Sequence, residues 1–317
     1  MITQKKDAVN VFSNNDIDKI CEIDKFTDKK RIALDLQGLL ATFYLKEHYD
    51  KATGETISTL SKQGQNILNC GNDLIFKRYN NEEKTTILDH ANFCKARLCP
   101  YCAWRWHLKY TRILNKVFEL VDHNGFYHLV LTCKNLKYIN NDFLKEFKTK
   151  AVYFIKQKLK VKNYLIAFEM TLSESGEYHP HYHIVLDLPS DKRPTKKELQ
   201  TSWAKILDNG QKYAIVDLKR CYGSRVSQEL TKYILKCDFK KLSRIKLEEV
   251  FNATKGIKKF STGGIFKELM VKAKDIIEND NIEKKKMLEE YDNKRLFYKW
   301  LQSTARYVLT DYDEKKC

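Results

Sequence analysis

The sequence predicts an α+β protein: an antiparallel sheet with helices on one face, a cysteine-rich element before it, and helical extensions at both ends. Three observations predict this. Between residues 126 and 240, short β-like runs alternate with helical runs in the order β-α-β-β-α-β-α, and a short turn joins the middle strands. Three cysteines fall close together at 94, 99 and 102. Before residue 65 and after residue 240 the pattern is mostly helical and charged.

Taken in order, residues 15–50 carry a helical stripe of Leu34, Leu36, Leu39, Leu40 and Phe43, and residues 51–62 read as a loop. A cysteine-containing segment follows, from 70 to 102. Pro100 then opens a long helix, at a position where its missing N–H costs little. That helix has an apolar stripe of Trp104, Leu108, Ile113, Val117 and Leu120, and should end near 123–125. Strands are expected at 126–133, 164–172, 179–188 and 213–219, with helices at 141–159, 195–207 and 227–237. The expected organisation is a helical extension (1–65), a cysteine element with the long helix (66–125), a sheet core (126–240) and a helical basic region (241–317).

Composition sets limits. With 43% hydrophobic and 12% aromatic residues, the 317-residue chain can bury a proper core, which argues against global disorder. No apolar run is long enough to span a bilayer, and the N-terminus lacks the apolar stretch of a secretory signal. The expected location is the cytoplasm. A net charge of +17 points to a polyanionic partner. The charge is clustered: six basic and no acidic residues from Cys94 to Lys116, and four and none from Phe251 to Lys267, including Lys258 and Lys259.

The stretch GEYHPHYHIVLDL places His179, His181 and His183 at alternate positions, on one face of a strand. Imidazoles so placed can converge on one metal ion. Two histidines with a carboxylate suit Mn, Fe, Co, Ni or Zn, and Mg where phosphate oxygens complete the sphere. Glu169 in the preceding strand supplies a carboxylate, and an even register would set it opposite His183. The alternative is a solvated strand face with no ion.

Nine cysteines in a chain without a secretory signal argue for metal binding or buried thiols over disulfides. Cys94, Cys99 and Cys102 have zinc-knuckle spacing. Cys70, followed by Gly71, is the candidate fourth ligand, with His90 as a substitute. The other cysteines (Cys21, Cys133, Cys221, Cys237 and Cys317) read as unpaired. Lys95, Arg97 and Arg105, beside Trp104 and Trp106, suggest that this element also touches DNA.

HPHYH matches the His-hydrophobic-His motif of the HUH endonucleases, and the chain resembles the rolling-circle replication initiators of small bacterial plasmids. The likeness runs from about residue 65 to 270, through NCGNDLIFKR, FCKARLCPYCAWRW, FEMTLSESGEYHPHYHIVL and ELTKYILK. It implies an RRM/ferredoxin-like palm. It implies that His181 and His183 bind a divalent ion, Mg or Mn, with Glu169 as third ligand and His179 as an extra. In ELTKYILK it implies that Tyr233 attacks the DNA, while Glu229 activates water for the terminating cleavage. In a helix Glu229, Tyr233 and Cys237 share one face, and Lys232 and Lys236 flank the phenol. The implied partners are the plasmid origin, single-stranded at the nick, and a host helicase. Monomer and dimer both remain open. A zinc-containing DNA-binding regulator without nuclease activity is the competing reading, and a transposase or relaxase of the same superfamily is another.

Overall fold

A computed structural model describes residues 21–121, 126–188, 193–208, 210, 212, 214–221, 230, 242–258 and 260–315. The chain divides into two compact units, one from residues 1–106 with 275–317, the other from 107–274.

The second unit holds the sheet predicted from alternation. Its five strands are β5 (Phe126–Thr132), β6 (Tyr164–Leu172), β7 (Tyr178–Asp187), β8 (Val216–Arg220) and β9 (Phe260–Gly263), in the order β8-β5-β7-β6-β9. Every pairing is antiparallel. Helices α4 (Asn141–Tyr153, continued by a π-helical turn Phe154–Lys158) and α5 (Lys196–Leu207) pack on one face. Asn140 caps α4 by accepting from the Phe143 amide at 2.8 Å, and Thr195 with Glu198 forms a capping box on α5. The core under these helices is aromatic. Tyr182 of β7 lies 5.0 Å from Phe147 of α4 and 5.4 Å from Phe168 of β6, ring to ring. Trp203 of α5 packs on Phe147 and Phe154, and its indole N–H donates to the Thr132 carbonyl at 2.7 Å. Each such ring, fully buried, contributes about 1.5–3 kcal/mol of hydrophobic stabilisation.

Because β-strand side chains alternate, the partners of Tyr182 leave its neighbours His181 and His183 on the opposite face. The far end of that face is closed by Phe126 of β5. Phe126 packs against Phe118 of α3 (Pro100–Glu119) at 5.9 Å and Phe266 of α7 (Ile265–Leu288) at 5.4 Å. Helix α6 (Arg244–Ala253) joins the β6–β7 hairpin, with Tyr178 donating to Glu249 at 2.6 Å.

The first unit contains α1 (Cys21–Thr42), a hairpin of β1 (Leu45–Asp50) and β2 (Glu55–Leu60), α2 (Lys62–Leu68), β3 (Asp73–Tyr79), β4 (Thr86–Ala91), β10 (Asn293–Leu301) and β11 (Arg306–Lys315). Its four-stranded sheet runs β11-β10-β3-β4. Phe26 of α1 anchors the unit's core, edge-on to Phe76, Tyr101 and Trp104 at centroid distances of 5.5, 6.3 and 5.0 Å.

Three expectations change. The residues after 240 are not mostly helical, because they contribute three strands, two of which complete the first unit's sheet. Residues 45–60 form a hairpin rather than a helix end and a loop. The chain also does not fold as four successive segments: β10 pairs with β3 across more than 200 residues, joining the two ends of the sequence in one sheet.

Candidate metal centres

The β6–β7 hairpin closes through a five-residue turn, Ser173–Glu177. The Ser173 amide donates to the Glu177 carbonyl at 2.9 Å, and Gly176 takes φ of 75°, a conformation that suits glycine. This turn sets the register at Leu172↔Tyr178 and therefore Glu169↔His181. The expected Glu169↔His183 pairing is corrected by two residues: His183 lies opposite Ala167, because the ladder closes on the Ser173–Glu177 turn. The face is unchanged, so Glu169 reaches His183 diagonally.

The result is a compact cluster. His181 Nε2 and His183 Nε2 donate to the same oxygen, Glu169 Oε2, at 2.7 and 2.9 Å. All three residues are buried, and their ligand atoms lie within 4.8 Å of one another. Burial opposes charge on Glu169. The hydrogen bonds from His181 and His183 outweigh it, holding the carboxyl down at about 2. The other oxygen, Glu169 Oε1, is buried with no hydrogen-bond partner among the described residues. A buried, ionised carboxylate with an unused oxygen beside two imidazoles fits a divalent cation, which would take up the open lone pairs. His179 stands apart: its ring is 4.9 Å from that of His181, but its Nδ1 pairs with the Asn135 side chain. Burial, then the neighbouring His181, holds His179 below the usual range.

One residue of this centre was missed in the sequence. His128 of β5 places Nε2 3.2 Å from His183 Nδ1, with the two rings nearly parallel at 13°. Four of the chain's eight histidines thus gather on this face. The only trace in the sequence was a polar residue at an alternate position of FYHLVLT.

The cysteine centre lies in the first unit. Cys70, Cys94, Cys99 and Cys102 are all buried and come together as a tetrad. The sulfurs of Cys70 and Cys102, Cys94 and Cys102, and Cys99 and Cys70 are 3.5, 3.6 and 3.7 Å apart. Four sulfurs about 2.3 Å from one ion would be separated by roughly 3.8 Å, so the tetrad fits a tetrahedral site. Backbone amides face the sulfurs, as a thiolate cluster needs: Cys94 N toward Cys70, Lys95 N toward Cys102, Ala96 N toward Cys94, at 3.3–3.4 Å. Lys95 takes φ of 60° to turn these amides inward. Hydrogen bonds from Cys102, Cys70 and Cys94 hold the Cys99 thiol well below its ordinary range.

Cys70 is therefore the fourth member, and His90 is not, being exposed on β4 opposite Ile75. Gly71 behind it has φ of 71°, and a Cβ there would stand 2.1 Å from the Tyr101 ring. Two further residues support the tetrad and were not singled out in the sequence: Lys30 and Gln37 of α1. Gln37 Nε2 donates to Cys99 Sγ at 3.4 Å.

The remaining candidates are dispersed. The Arg105 guanidinium lies 5.1, 5.7 and 5.9 Å from the rings of Phe93, Phe26 and Trp104, so it packs within the first unit. Lys95 and Lys258 are exposed and Arg97 is half-buried. Lys259, Glu229, Lys232, Tyr233, Lys236 and Cys237 lie outside the described residues. Leu230, between Glu229 and Tyr233, is fully buried. Among the described residues, no helix is long and apolar enough to cross a membrane.

Comparison with known proteins agrees with the motifs. The chain is 28% identical over 200 residues to a protein rep of a Bacillus species, covering 59% of this chain and 64% of that one. It is 30% identical over 193 residues to a protein rep of Bacillus amyloliquefaciens, covering 56% of each. A third, from Streptococcus pneumoniae, is 26% identical over 228 residues, covering 65% of this chain and 70% of the relative. The matches to the first two thus span less than two thirds of those relatives' lengths. No solved structure matches the chain. The pattern of the family described as Replication protein matches residues 85–308, taking in most of the cysteine tetrad and the whole histidine hairpin, and the chain belongs to that family.

Proposed function

We propose that the protein initiates rolling-circle replication of a small plasmid by nicking one strand at the origin and joining the 5′ end to its own tyrosine. The observation that carries this reading is the buried Glu169–His181–His183 cluster, with its unpartnered carboxylate oxygen, on the face of the sheet away from α4 and α5 in a replication protein. A divalent ion held by these three residues, Mg or Mn, would polarise the scissile phosphate and its leaving 3′ oxygen.

The rest is the work of the chain. Tyr233 attacks phosphorus in line; a Tyr O–P bond forms, the P–O3′ bond breaks, and the phenolic proton ends on the 3′ oxygen. Lys236 and Lys232 favour the phenolate and hold the DNA backbone. At termination Glu229 takes a proton from water, whose oxygen attacks phosphorus at the regenerated nick site; the P–O3′ bond breaks, the proton passes to the 3′ oxygen, and that 3′ end is then free to close the circle on the phosphotyrosine. The tetrad binds zinc as a closed structural site, since four thiolates and no open position leave no room for a substrate. Lys95, Arg97, Lys258 and Lys259 contribute to the DNA-binding surface, and a host helicase extends the nick in the cytoplasm.

The test is incubation of the purified protein with supercoiled plasmid carrying its own origin, with and without Mg or Mn. Relaxed circles with protein bound to the 5′ end are expected only with metal. A mobility shift without relaxation would leave a DNA-binding regulator.

A further inference from the structure

We propose that Tyr138 is a stacking platform for one unpaired base of the DNA strand, with Lys134 and Lys137 holding the neighbouring phosphates. The proposal rests on the reading of the histidine hairpin as a site that acts on single-stranded DNA.

Tyr138 is 79% exposed, and among the described residues no large apolar or aromatic side chain is more so. Exposure alone is ordinary. What sets Tyr138 apart is that the backbone beneath it is fastened on both sides. Before it, Leu136 exchanges two backbone hydrogen bonds with Tyr178 of β7, at 2.9 and 2.8 Å, and the Asn135 side chain pairs with His179. After it, Ile139 is buried and Asn140 caps α4. The Asn141 amide then donates to the carbonyls of Ala253 and Lys255 at 2.9 and 2.6 Å. A ring held out on a fixed backbone has little ordering left to lose when a ligand covers it.

The same bonds fix where the ring stands. Leu136 lies opposite Tyr178, three positions along β7 from His181, and Tyr138 is two positions further along its loop. At about 3.3 Å per position, Tyr138 is within roughly 16 Å of His181. A strand with one phosphate at the cluster covers that distance in a few nucleotides.

The chemistry around the ring selects the ligand. From Thr132 to Asn141 the chain has two lysines, both exposed, and no acidic residue. A phenol ring beside two cations fits a ligand made of flat rings strung on phosphates. In a duplex each base is covered by its neighbours on both faces, so only an unstacked base can take the ring. Stacking uses a π-face that every base has, so Tyr138 sets the position of the strand rather than reading its sequence.

The experiment is binding of a fluorescent oligothymidylate to the full chain, read by anisotropy over a range of salt without Mg or Mn. Tyr138→Ala removes little packing at this exposure, so the fold should stand. It should bind about 5–150-fold more weakly, while Tyr138→Phe and Tyr138→Trp stay near the natural affinity. Tyr153→Ala, which removes an exposed tyrosine of α4 on the other face, should change nothing. Lys134→Ala and Lys137→Ala should each lower the slope of log affinity against log salt by about 0.7. Natural affinity in Tyr138→Ala would overturn the proposal and leave the ring to a protein partner. A loss in Tyr138→Phe equal to that in Tyr138→Ala would replace stacking by a hydroxyl contact and overturn it too. An unchanged salt slope in both lysine variants would remove the phosphate contacts. Relaxation of supercoiled origin plasmid by the natural protein, with Mg or Mn, is measured beside these. Tyr138-dependent binding without relaxation would uphold the base contact and end the nicking reading. Relaxation with binding that ignores Tyr138 would do the reverse.

Discussion

Lys30 Nζ donates to the carbonyl oxygen of Cys70 across 2.6 Å, and both residues are wholly removed from solvent. The same ammonium donates to Gln37 Oε1 at 2.9 Å, and Gln37 in turn reaches Cys99. A buried lysine with no charge partner is costly. Burial lowers the Lys30 pKa, and the four cysteines of the tetrad raise it again. A tetrad of thiolates around a doubly charged ion would carry net negative charge, and Lys30 is placed to act as its internal counter-ion.

Lys30→Met keeps most of the volume and removes the charge. It leaves the Cys70 carbonyl and Gln37 Oε1 without this donor. The expected loss is about 3 kcal/mol of stability, the order seen when one member of a buried charged group is removed. Zinc should also leave faster. Thermal unfolding and the rate of metal transfer to a coloured chelator measure both effects; unchanged values would end the counter-ion assignment.

Zinc itself is the next expectation. Metal analysis of freshly purified protein should give one tightly held zinc per chain. Cys99→Ser should misfold or aggregate, because a structural site couples metal binding to folding. A well-folded preparation without zinc would remove the claim.

Outside the tetrad, Cys133 and Cys221 should be inert. Burial pushes both thiols up to about 12. A thiol raised this far stays protonated until the pH approaches that value, so the reactive thiolate is only about one part in 10⁴ at pH 8. Native alkylation at pH 8 with peptide mass mapping should leave both unmodified; rapid labelling of Cys133 would contradict its burial.

The histidine hairpin was legible because its signal is local. Three histidines at a spacing of two reveal a strand face whatever surrounds it. The register was not legible, because it depends on where the chain turns, and SESGEY permits several turns. Cys94, Cys99 and Cys102 announced themselves by spacing, whereas Cys70 needed β3 and β4 to bring it back across 24 residues. His128 and Lys30 were hidden because a single polar residue in an apolar run has no meaning until its neighbour is known. Strand β10 was misread although Leu296, Tyr298 and Trp300 alternate within it, since Phe297 breaks the alternation of apolar and polar residues and the charges of Lys294, Arg295 and Lys299 resemble a solvated helix. The β1–β2 hairpin had no pattern to read, as both of its faces are exposed.

Removing either histidine ligand should separate chemistry from affinity. His181→Ala and His183→Ala should lower the nicking rate by roughly 10²-fold or more, the order lost when a group that stabilises transition-state charge is removed. Duplex binding should be largely kept, because basic surfaces supply it. Relaxation of supercoiled plasmid beside a mobility shift reads the two separately. Full cleavage by both variants at ordinary Mg would sink the metal assignment.

The last prediction separates the two halves of the proposed cleavage cycle. Tyr233→Phe keeps the ring and removes the nucleophilic oxygen, so the covalent protein–DNA adduct should vanish while origin binding persists. Glu229→Ala keeps the tyrosine, so the first nick and the adduct should survive. Release should fail instead, since water would lack its general base, a loss that commonly costs about 10²–10⁴-fold in rate. Replication would then run past termination and yield products longer than one plasmid unit. The motive is the four-residue spacing of Glu229 and Tyr233, which in a helix turns both side chains to one face and so to one phosphate. A denaturing gel of protein-linked DNA, beside an assay of terminated circles, makes the decision. An adduct from Tyr233→Phe would mean that another of the 18 tyrosines is the nucleophile. Normal termination by Glu229→Ala would leave the tyrosine in place and remove the glutamate from the mechanism.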